Sequence, residues 1–599
     1  MSWTGKVLRV DLSRGSWSIE ALDLLLAVDF IGGRGLGARL LLSEVDPQVS
    51  PFSPQNKLIL ATGPLTGTGA PTGSGFCVVT KSPLTGAIAC STSGGYFGPE
   101  LKFAGYDLII LEGKSPSPVC LSINDDEIQI IPATHLWGET TCRTEDIIRA
   151  DFGDPWLARE IHIASIGPAG ERLVRFASIV NDKYWAAARS GVGAVMGSKN
   201  LKAIVLRGTK GILVGSPDNF KQAVSDTLDK IKKSPLASQV LPELGTSFLI
   251  EVIQGHGILA TRNFQDGVFG GASKISGEAM RNTMPQTRRG CFSCPIGCTK
   301  IIDKRAQAPG YDALAQLGAC CGIDDLSALT SANLRCNELG IDVISAGGTI
   351  ACAMELYQRG ILSPKDTGLR LDFGSVATMV ELIEDIGMRR GFGEVLGEGA
   401  WRLAQTYGHP ELFMGVKGQE APAYDPRGVQ GLGLQYATSN TGACYASGYT
   451  VIDEILGIHQ KMNPQTAENK AAFVKLLQEI TAVTDSSGLC PIVLFVLKLA
   501  DVLAMLEAAT GAGYTEENLL LAGERVWNVE RLFDLKAGFG SKDDTLPPRM
   551  LQEPMPSGPA RGQVCQLDHM LPEYHQLRGW DENGIPLSEK LAELGLEYK

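Results

Sequence analysis

The chain has 599 residues, 44% of them hydrophobic and 20% charged, a balance that excludes a disordered polypeptide and suits several folded domains. Its 54 Lys and Arg against 66 Asp and Glu give a net charge of −12, which speaks against a nucleic-acid or anionic-membrane partner, since both need a basic footprint. Fourteen cysteines are too sparse for a disulfide scaffold, so any cluster of them points to metal.

In chain order, the first 210 residues read as β-rich. Lys6–Leu12 and Ser16–Glu20 alternate in polarity around Ser13-Arg14-Gly15, a hairpin pattern. Further strands are predicted at Lys57–Ala61, Phe76–Thr80, Leu108–Glu112, Val119–Ile123, Ile128–Ile131, Ile161–Ile166, Phe176–Ile179 and Ala203–Arg207. Short helices are predicted at Ala38–Ser43 and Thr144–Ala150. After Gly215 the apolar period becomes helical, over 218–234, 324–358, 375–389, 393–407, 466–483, 491–509 and 515–531. Ser363-Pro-Lys-Asp and Thr515-Glu-Glu-Asn are helix-start signals. The expected division is a β-rich domain over 1–210 and helical domains over 211–417 and 418–599.

The longest apolar candidate for a membrane span, from Cys490 to Asp501, contains Lys498 and Asp501 and reads as a buried helix. The N-terminal residues lack the apolar core of a signal peptide, so a cytoplasmic location and no membrane partner are expected.

The strongest chemical signal is Cys291-Phe-Ser-Cys294-Pro-Ile-Gly-Cys298. Three soft anionic ligands on one tight loop suit an iron–sulfur cluster or zinc, and either needs a fourth ligand from far away. Cys490 is the candidate. Cys320, Cys321, Cys336 and Cys352 fall in helical segments and read as small core residues. Asn337-Glu-Leu-Gly340-Ile341-Asp342 and Asp485-Ser-Ser-Gly488-Leu489-Cys490 share one plan: a polar residue, two spacers, glycine, an aliphatic, then a candidate ligand. Such a pair can clamp a two-lobed ligand, with glycine turning backbone N–H groups toward it and the carboxylate accepting its N–H donors. The bland alternative is two ordinary helix ends. Gly32–Gly37 and Thr92–Gly98 look like phosphate loops but lack the nucleotide-binding spacing.

Several segments together resemble the tungsten-containing aldehyde:ferredoxin oxidoreductases. They are Phe30-Ile-Gly-Gly-Arg-Gly-Leu-Gly-Ala, Ala61-Thr-Gly-Pro-Leu-Thr-Gly-Thr-Gly-Ala-Pro, Ser93-Gly94-Gly-Tyr-Phe-Gly-Pro-Glu-Leu-Lys-Phe-Ala-Gly-Tyr-Asp, Gly193-Ala-Val-Met-Gly-Ser-Lys-Asn-Leu-Lys-Ala-Ile, the cysteine loop, the two clamps and Tyr424-Asp-Pro-Arg-Gly. The resemblance implies an α+β fold, in which an N-terminal double β-layer domain forms a base for two pterins and is followed by two mainly α-helical domains. It implies a [4Fe–4S] cluster on Cys291, Cys294, Cys298 and Cys490, and tungsten, or molybdenum in its place, held by two molybdopterins. Gly94, Ala186, Gly340, Ile341, Asp342, Asp485, Gly488 and Leu489 would contact the cofactor, and magnesium would bridge the pterin phosphates. Asp312 would be the general base and Tyr445 would orient the carbonyl oxygen. Ferredoxin or another iron–sulfur carrier would accept the electrons, and homodimers are common in the family.

The sequence departs from that pattern. Phe76 and Trp185 stand where arginine is expected, Thr92 and Asn337 where asparagine and aspartate are, Asp312 where glutamate is and Tyr445 where histidine is. The leading expectation is oxidation of aldehydes to carboxylic acids. The alternatives are reduction of aromatic acyl-thioesters on the same cofactor, and an iron–sulfur electron-transfer or assembly subunit with no catalytic pterin.

Overall fold

The structure is a computed structural model that describes residues 1–302 and 306–597. Twelve strands precede the helical region: β1 (Lys6–Asp11), β2 (Ser16–Ala21), β3 (Leu58–Thr62), β4 (Phe76–Lys81), β5 (Ile88–Ser93), β6 (Leu108–Glu112), β7 (Val119–Asn124), β8 (Glu127–Pro132), β9 (His162–Ser165), β10 (Ile179–Asn181), β11 (Trp185–Ala187) and β12 (Leu201–Arg207). They form two six-stranded sheets, ordered β2-β1-β6-β3-β4-β5 and β8-β7-β12-β9-β10-β11. The second order is the first with six added to each strand number. Both sheets have a leading antiparallel hairpin and one parallel pair, β1 with β6 and β7 with β12. The apolar runs Leu58-Ile-Leu-Ala, Phe76-Cys-Val-Val and Leu108-Ile-Ile-Leu are buried throughout, as strands covered on both faces must be. One core lies between the sheets, with Leu60, Phe76 and Ile109 meeting Leu121 and Ile204. The outer face of the first sheet is covered by the helix Gly33–Glu44.

Most predicted strands occur within a residue or two of their expected ends. The one predicted at Phe176–Ile179 instead starts at Ile179, because the backbone before it is otherwise engaged: the Asp342 N–H donates to Phe176 O at 3.0 Å and the Ser178 N–H to Gly340 O at 2.9 Å. Strand β5 was not predicted, since Ala-Cys-Ser-Thr-Ser carries little apolar signal.

Three predicted helices are in fact broken. The 324–358 run is Leu326–Leu339 and Val343–Gln358, interrupted at Gly340. The 393–407 run is Gly393–Leu396 and Ala400–Thr406, interrupted at Gly399 with φ 91°. The 491–509 run is a 3-10 turn, Pro491–Phe495, then Leu499–Thr510. Pro217–Lys233, Val376–Met388, Lys470–Ser487 and Glu516–Lys536 form continuous helices. The two start signals are capped as expected, the Ser363 N–H donating to Asp366 and the Thr515 N–H to Asn518. Among the described residues one helical run, Leu236–Gly255, is long and apolar enough by composition to cross a membrane; half of it is buried in the fold and Gly245 interrupts it at φ 66°.

The sheets grip the helical region backbone to backbone. A Cβ on Gly63 would lie 2.1 Å from the Ser487 carbonyl carbon, and one on Gly167 2.3 Å from Leu339 O. Gly63→Ala is therefore expected to cost about 3 kcal/mol, seen as a lower thermal midpoint. Gly255→Ala, which meets nothing within 4 Å, should leave the midpoint unchanged.

Candidate functional site

The three clustered cysteines sit at the tip of an antiparallel hairpin, β13 (Gln286–Arg289) and β14 (Thr299–Ile302), in which Arg289 pairs with Thr299. The loop turns through left-handed backbone at Ser293 (φ 51°) and Gly297 (φ 59°). Cys490 is held to it through the backbone of one residue. The Cys490 N–H donates to Thr72 O at 3.2 Å, and the Thr72 N–H donates to Ser293 O at 3.1 Å. Thr72 does this at φ 66°, an uncommon and strained conformation for a β-branched residue. Nothing in the sequence signals this role.

The structure brings all four thiols into mutual electrostatic range, Cys490 sensing Cys298, Cys291 and Cys294. Yet among the described residues no three His, Cys, Asp or Glu side chains are placed to hold one metal ion. Burial pushes Cys291 up to about 11 and Cys298 up to about 12, and raises Cys490 well above its ordinary value. Thiols of this kind ionise when a metal centre binds them.

The two clamp motifs have one backbone geometry. Each ends a helix at a left-handed glycine, Gly340 at φ 73° and Gly488 at φ 84°. In each, the glycine N–H and the next N–H turn back to the last turn: Ile341 to Cys336 O at 2.8 Å, Leu489 to Thr484 O at 3.2 Å. The sixth residue then opens a new helical element, Asp342 the Val343–Gln358 helix and Cys490 the Pro491–Phe495 turn. Asp342 is occupied in doing so: it accepts from Ile344 N–H and Ser345 Oγ and pairs with Arg189 at 3.0 Å. Asp485 is different. It lies in the last turn of its helix, paired with Arg34 at 3.3 Å, and its Oδ1 is buried without a partner. Burial lifts its pKa to about 6 against the pull of Arg34.

Two adjoining cavities meet at Asp312. One, of about 370 Å³, lies over the seam between β5 and β11 and is walled by Gly94, Ala186, Asn337, Ile341, Asp485, Leu489 and Cys490. Gly340, Asp342 and Gly488 stand behind this wall and set its backbone. The other, of about 620 Å³, is aromatic and aliphatic, with Tyr311, Tyr424, Tyr445, Tyr449, Phe473 and Phe495 on its surface. Asp312 and Thr92 line both. Asp312 is on a single helical turn, Tyr311–Ala313, that runs into a π-helical turn, Leu314–Gly318; such local widening is frequent at functional sites. The Tyr445 hydroxyl donates to Asp312 Oδ2 at 2.7 Å, while Oδ1 is buried and unpaired. Burial raises Asp312 to about 6, and the Tyr445 hydrogen bond and Arg189 hold it from going higher.

The aromatic residues at the arginine positions do not plug the smaller cavity. Phe76 packs on Phe97 at 5.1 Å, and Trp185 fits edge-on against Tyr96 at 5.8 Å, both at the cavity wall. The Trp185 indole N–H and the Ser74 hydroxyl are buried without a partner in hydrogen-bonding geometry and are turned toward the Cys291 sulfur. Sequence reasoning missed Arg34 and Arg189, the cations behind the two clamps, because neither is near them in the chain. The unsatisfied polar atoms on the wall residues Asp312, Asp485 and Trp185 are what a polar heterocyclic cofactor would satisfy, so the donor set fits such a group.

Family models match nearly the whole chain: "Aldehyde ferredoxin oxidoreductase, N-terminal domain" over residues 7–208 and "Aldehyde ferredoxin oxidoreductase, domains 2 & 3" over 222–596. The chain is 48% identical to a tungsten-containing aldehyde ferredoxin oxidoreductase of Pyrococcus horikoshii and 49% identical to that of Pyrococcus abyssi, with 99% of each chain covered. It is 31% identical to the WOR-like subunit of an aliphatic sulfonate oxidoreductase of Pyrococcus furiosus, over 99% of this chain and 97% of that one. Among solved structures it is similar to the active site complex BamBC of benzoyl coenzyme A reductase with 1,5-dienoyl-CoA. The TM-score is 0.86 and the identity 27%, over 100% of this chain and 97% of the other.

Tyr445→Phe removes a donor that favours the Asp312 carboxylate, so the Asp312 pKa should rise above about 6. Infrared titration of the carboxyl band against Asp312→Asn would read this; an unchanged or lower midpoint would contradict the geometry.

Proposed function

The chain belongs to the aldehyde ferredoxin oxidoreductase family, and from that premise we propose that it oxidises aldehydes to carboxylic acids on a tungsten bis-molybdopterin, passing the electrons through a [4Fe–4S] cluster to ferredoxin. The balanced reaction is aldehyde, water and two oxidised ferredoxins to carboxylic acid, two reduced ferredoxins and two protons. One observation carries the reading: a carboxylate poised near pH 6 stands where an apolar substrate cavity opens into the cavity walled by both clamp motifs.

In this proposal Cys291, Cys294, Cys298 and Cys490 hold the cluster. Gly94, Ala186, Ile341, Asp485 and Leu489 face the pterins, while Gly340, Asp342 and Gly488 fix the two caps that present them. Magnesium would complete the set. The division at 210 and 417 belongs to the same reading, with each helical domain bringing one clamp to the β-rich base. When bound, the tungsten–pterin group supplies the Lewis acidity and the two-electron oxidising power, and the cluster relays electrons singly. Asp312 acts as general base, its free Oδ1 accepting a proton from water. Tyr445 serves it by holding Oδ2 with its own proton. The ring-lined wall seats the carbon chain of the aldehyde and keeps bulk water from the reacting end.

A second reading, reduction of an aromatic acyl-thioester, is favoured by the likeness to the benzoyl coenzyme A reductase complex. The full-length relatives at 47–49% identity favour aldehyde oxidation. The third expectation, an iron–sulfur subunit with no pterin, rests on Phe76, Trp185, Thr92 and Tyr445 together, and it is disfavoured because Phe76 and Trp185 leave the smaller cavity open.

Protein purified without oxygen should carry about four irons and one tungsten per chain. It should reduce ferredoxin with an aldehyde and not reduce benzoyl-CoA; the reverse pattern selects the second reading. kcat/KM for the aldehyde should climb as pH rises through about 6, because the deprotonated Asp312 is the base. Asp312→Asn should lower kcat by about 10²–10⁴-fold with iron and tungsten contents unchanged. Cys294→Ser or Cys490→Ser should abolish the cluster's visible absorbance; retained iron in either would remove that residue from the ligand set.

A further inference from the structure

Among the described residues, the hairpin that carries the cysteine loop has an unpaired edge. In its sheet the order is β13-β14-β15, with β15 at Ala306–Gln307, so β13 offers one side to solvent. Thr287, Arg288 and Arg289 on it are exposed, and so is Ser293 at the loop tip. Successive strand residues point to opposite faces, and the two arginines accordingly flank the loop. Arg288 lies across Gly297, where a Cβ would come within 2.3 Å of its Nε, and donates to Pro295 O. Arg289 stacks over Tyr184 at 4.4 Å and Trp185 at 5.4 Å on the other flank. Trp185 is the residue whose indole N–H is turned toward Cys291.

Among the described residues neither guanidinium has a carboxylate partner. Lys300, opposite Arg288 in the hairpin, donates to Pro242 O, and Lys183 pairs with Asp146. Two pinned cations without carboxylate partners thus stand beside the four-thiol site, on a chain whose net charge is −12. A net charge of this sign opposes an acidic partner, and two arginines without carboxylate partners offset it locally.

We propose that the Arg288–Arg289 edge and the Ser293 loop tip form the docking surface for an acidic iron–sulfur electron carrier. This rests on the cluster assignment above. Each docking event moves one electron from the reduced cluster to the oxidised carrier, with no bond made and no proton transferred. Aldehyde oxidation yields two electrons, so the surface is used twice per turnover. The cysteine loop, exposed at its Ser293 tip, gives the way out.

The test is steady-state aldehyde oxidation at low salt with two acceptors, a small acidic [4Fe–4S] ferredoxin and a viologen dye. It compares the parent with the exposed-site variants Arg289→Gln and Arg288→Glu/Arg289→Glu. The double variant should raise KM for ferredoxin by about tenfold or more, with Arg289→Gln intermediate. KM for the aldehyde and the dye-linked kcat should be unchanged. In the parent, kcat/KM for ferredoxin should fall as salt rises, and this dependence should flatten in the double variant. Unchanged ferredoxin KM and salt dependence would overturn the proposal. If the parent oxidises no aldehyde even with dye, it is the aldehyde reading that fails. Calorimetric titration with ferredoxin then decides the surface: binding lost in the double variant supports it, equal binding refutes it.

Discussion

The close approach of two glycine-capped helix ends to two β-sheets is the constraint on which the rest of the molecule depends. Main-chain groups meet main-chain groups on both sides, Ser178 N–H with Gly340 O and Leu65 N–H with Ser487 O, each at 2.9 Å. Side chains are excluded from these contacts, so glycines occupy the facing positions on the sheets as well as the helix ends. Backbone contacts of this kind have little slack. They fix the position of Ile341 and Leu489, and through Leu489 that of Cys490, more tightly than side-chain packing would.

On that rigid base the reactive groups are few and arranged so that burial sets their protonation. Asp312 and Asp485 are both lifted to about 6, for the same physical reason and with different direct partners: Asp312 has a neutral donor, Tyr445, with Arg189 acting without a hydrogen bond, and Asp485 a paired cation, Arg34. A hydroxyl donor permits proton exchange on the free oxygen. A buried cation that is also bound by Glu530 at 2.6 Å holds its partner still. In the proposed reaction this difference would separate a group for proton traffic from one for holding a ligand. It would also let tyrosine stand where histidine is expected, since there it tunes an acid and need not itself be a base.

Much of this was legible in the chain. The continuous apolar strands, the hairpin at the start and the long helices follow from period alone. The cysteine spacing with Cys490 pointed to one site, and the paired glycine motifs to two equivalent helix ends. What could not be read has a common cause. The 324–358 run keeps its apolar period across Gly340, so pattern gives one helix where the backbone makes two. Asp342 is a helix cap and an ion-pair partner at once, which depends on Arg189 153 positions away. Thr72 earns its place through an N–H and a carbonyl, which every residue has, in a conformation that sequence alone does not report. The π-helical turn after Asp312 is likewise invisible, since it is set by what the turn packs against.

The two sheets share a strand order, and the helix ends they hold share a cap, yet the sixth residue of one motif is a carboxylate and that of the other a thiol. The aspartate is spent on starting a helix and neutralising an arginine. The cysteine is left to face three more sulfurs. A cradle built twice over is therefore electrically lopsided: a redox centre held between its lobes, as proposed, would have a single direction in which to pass charge.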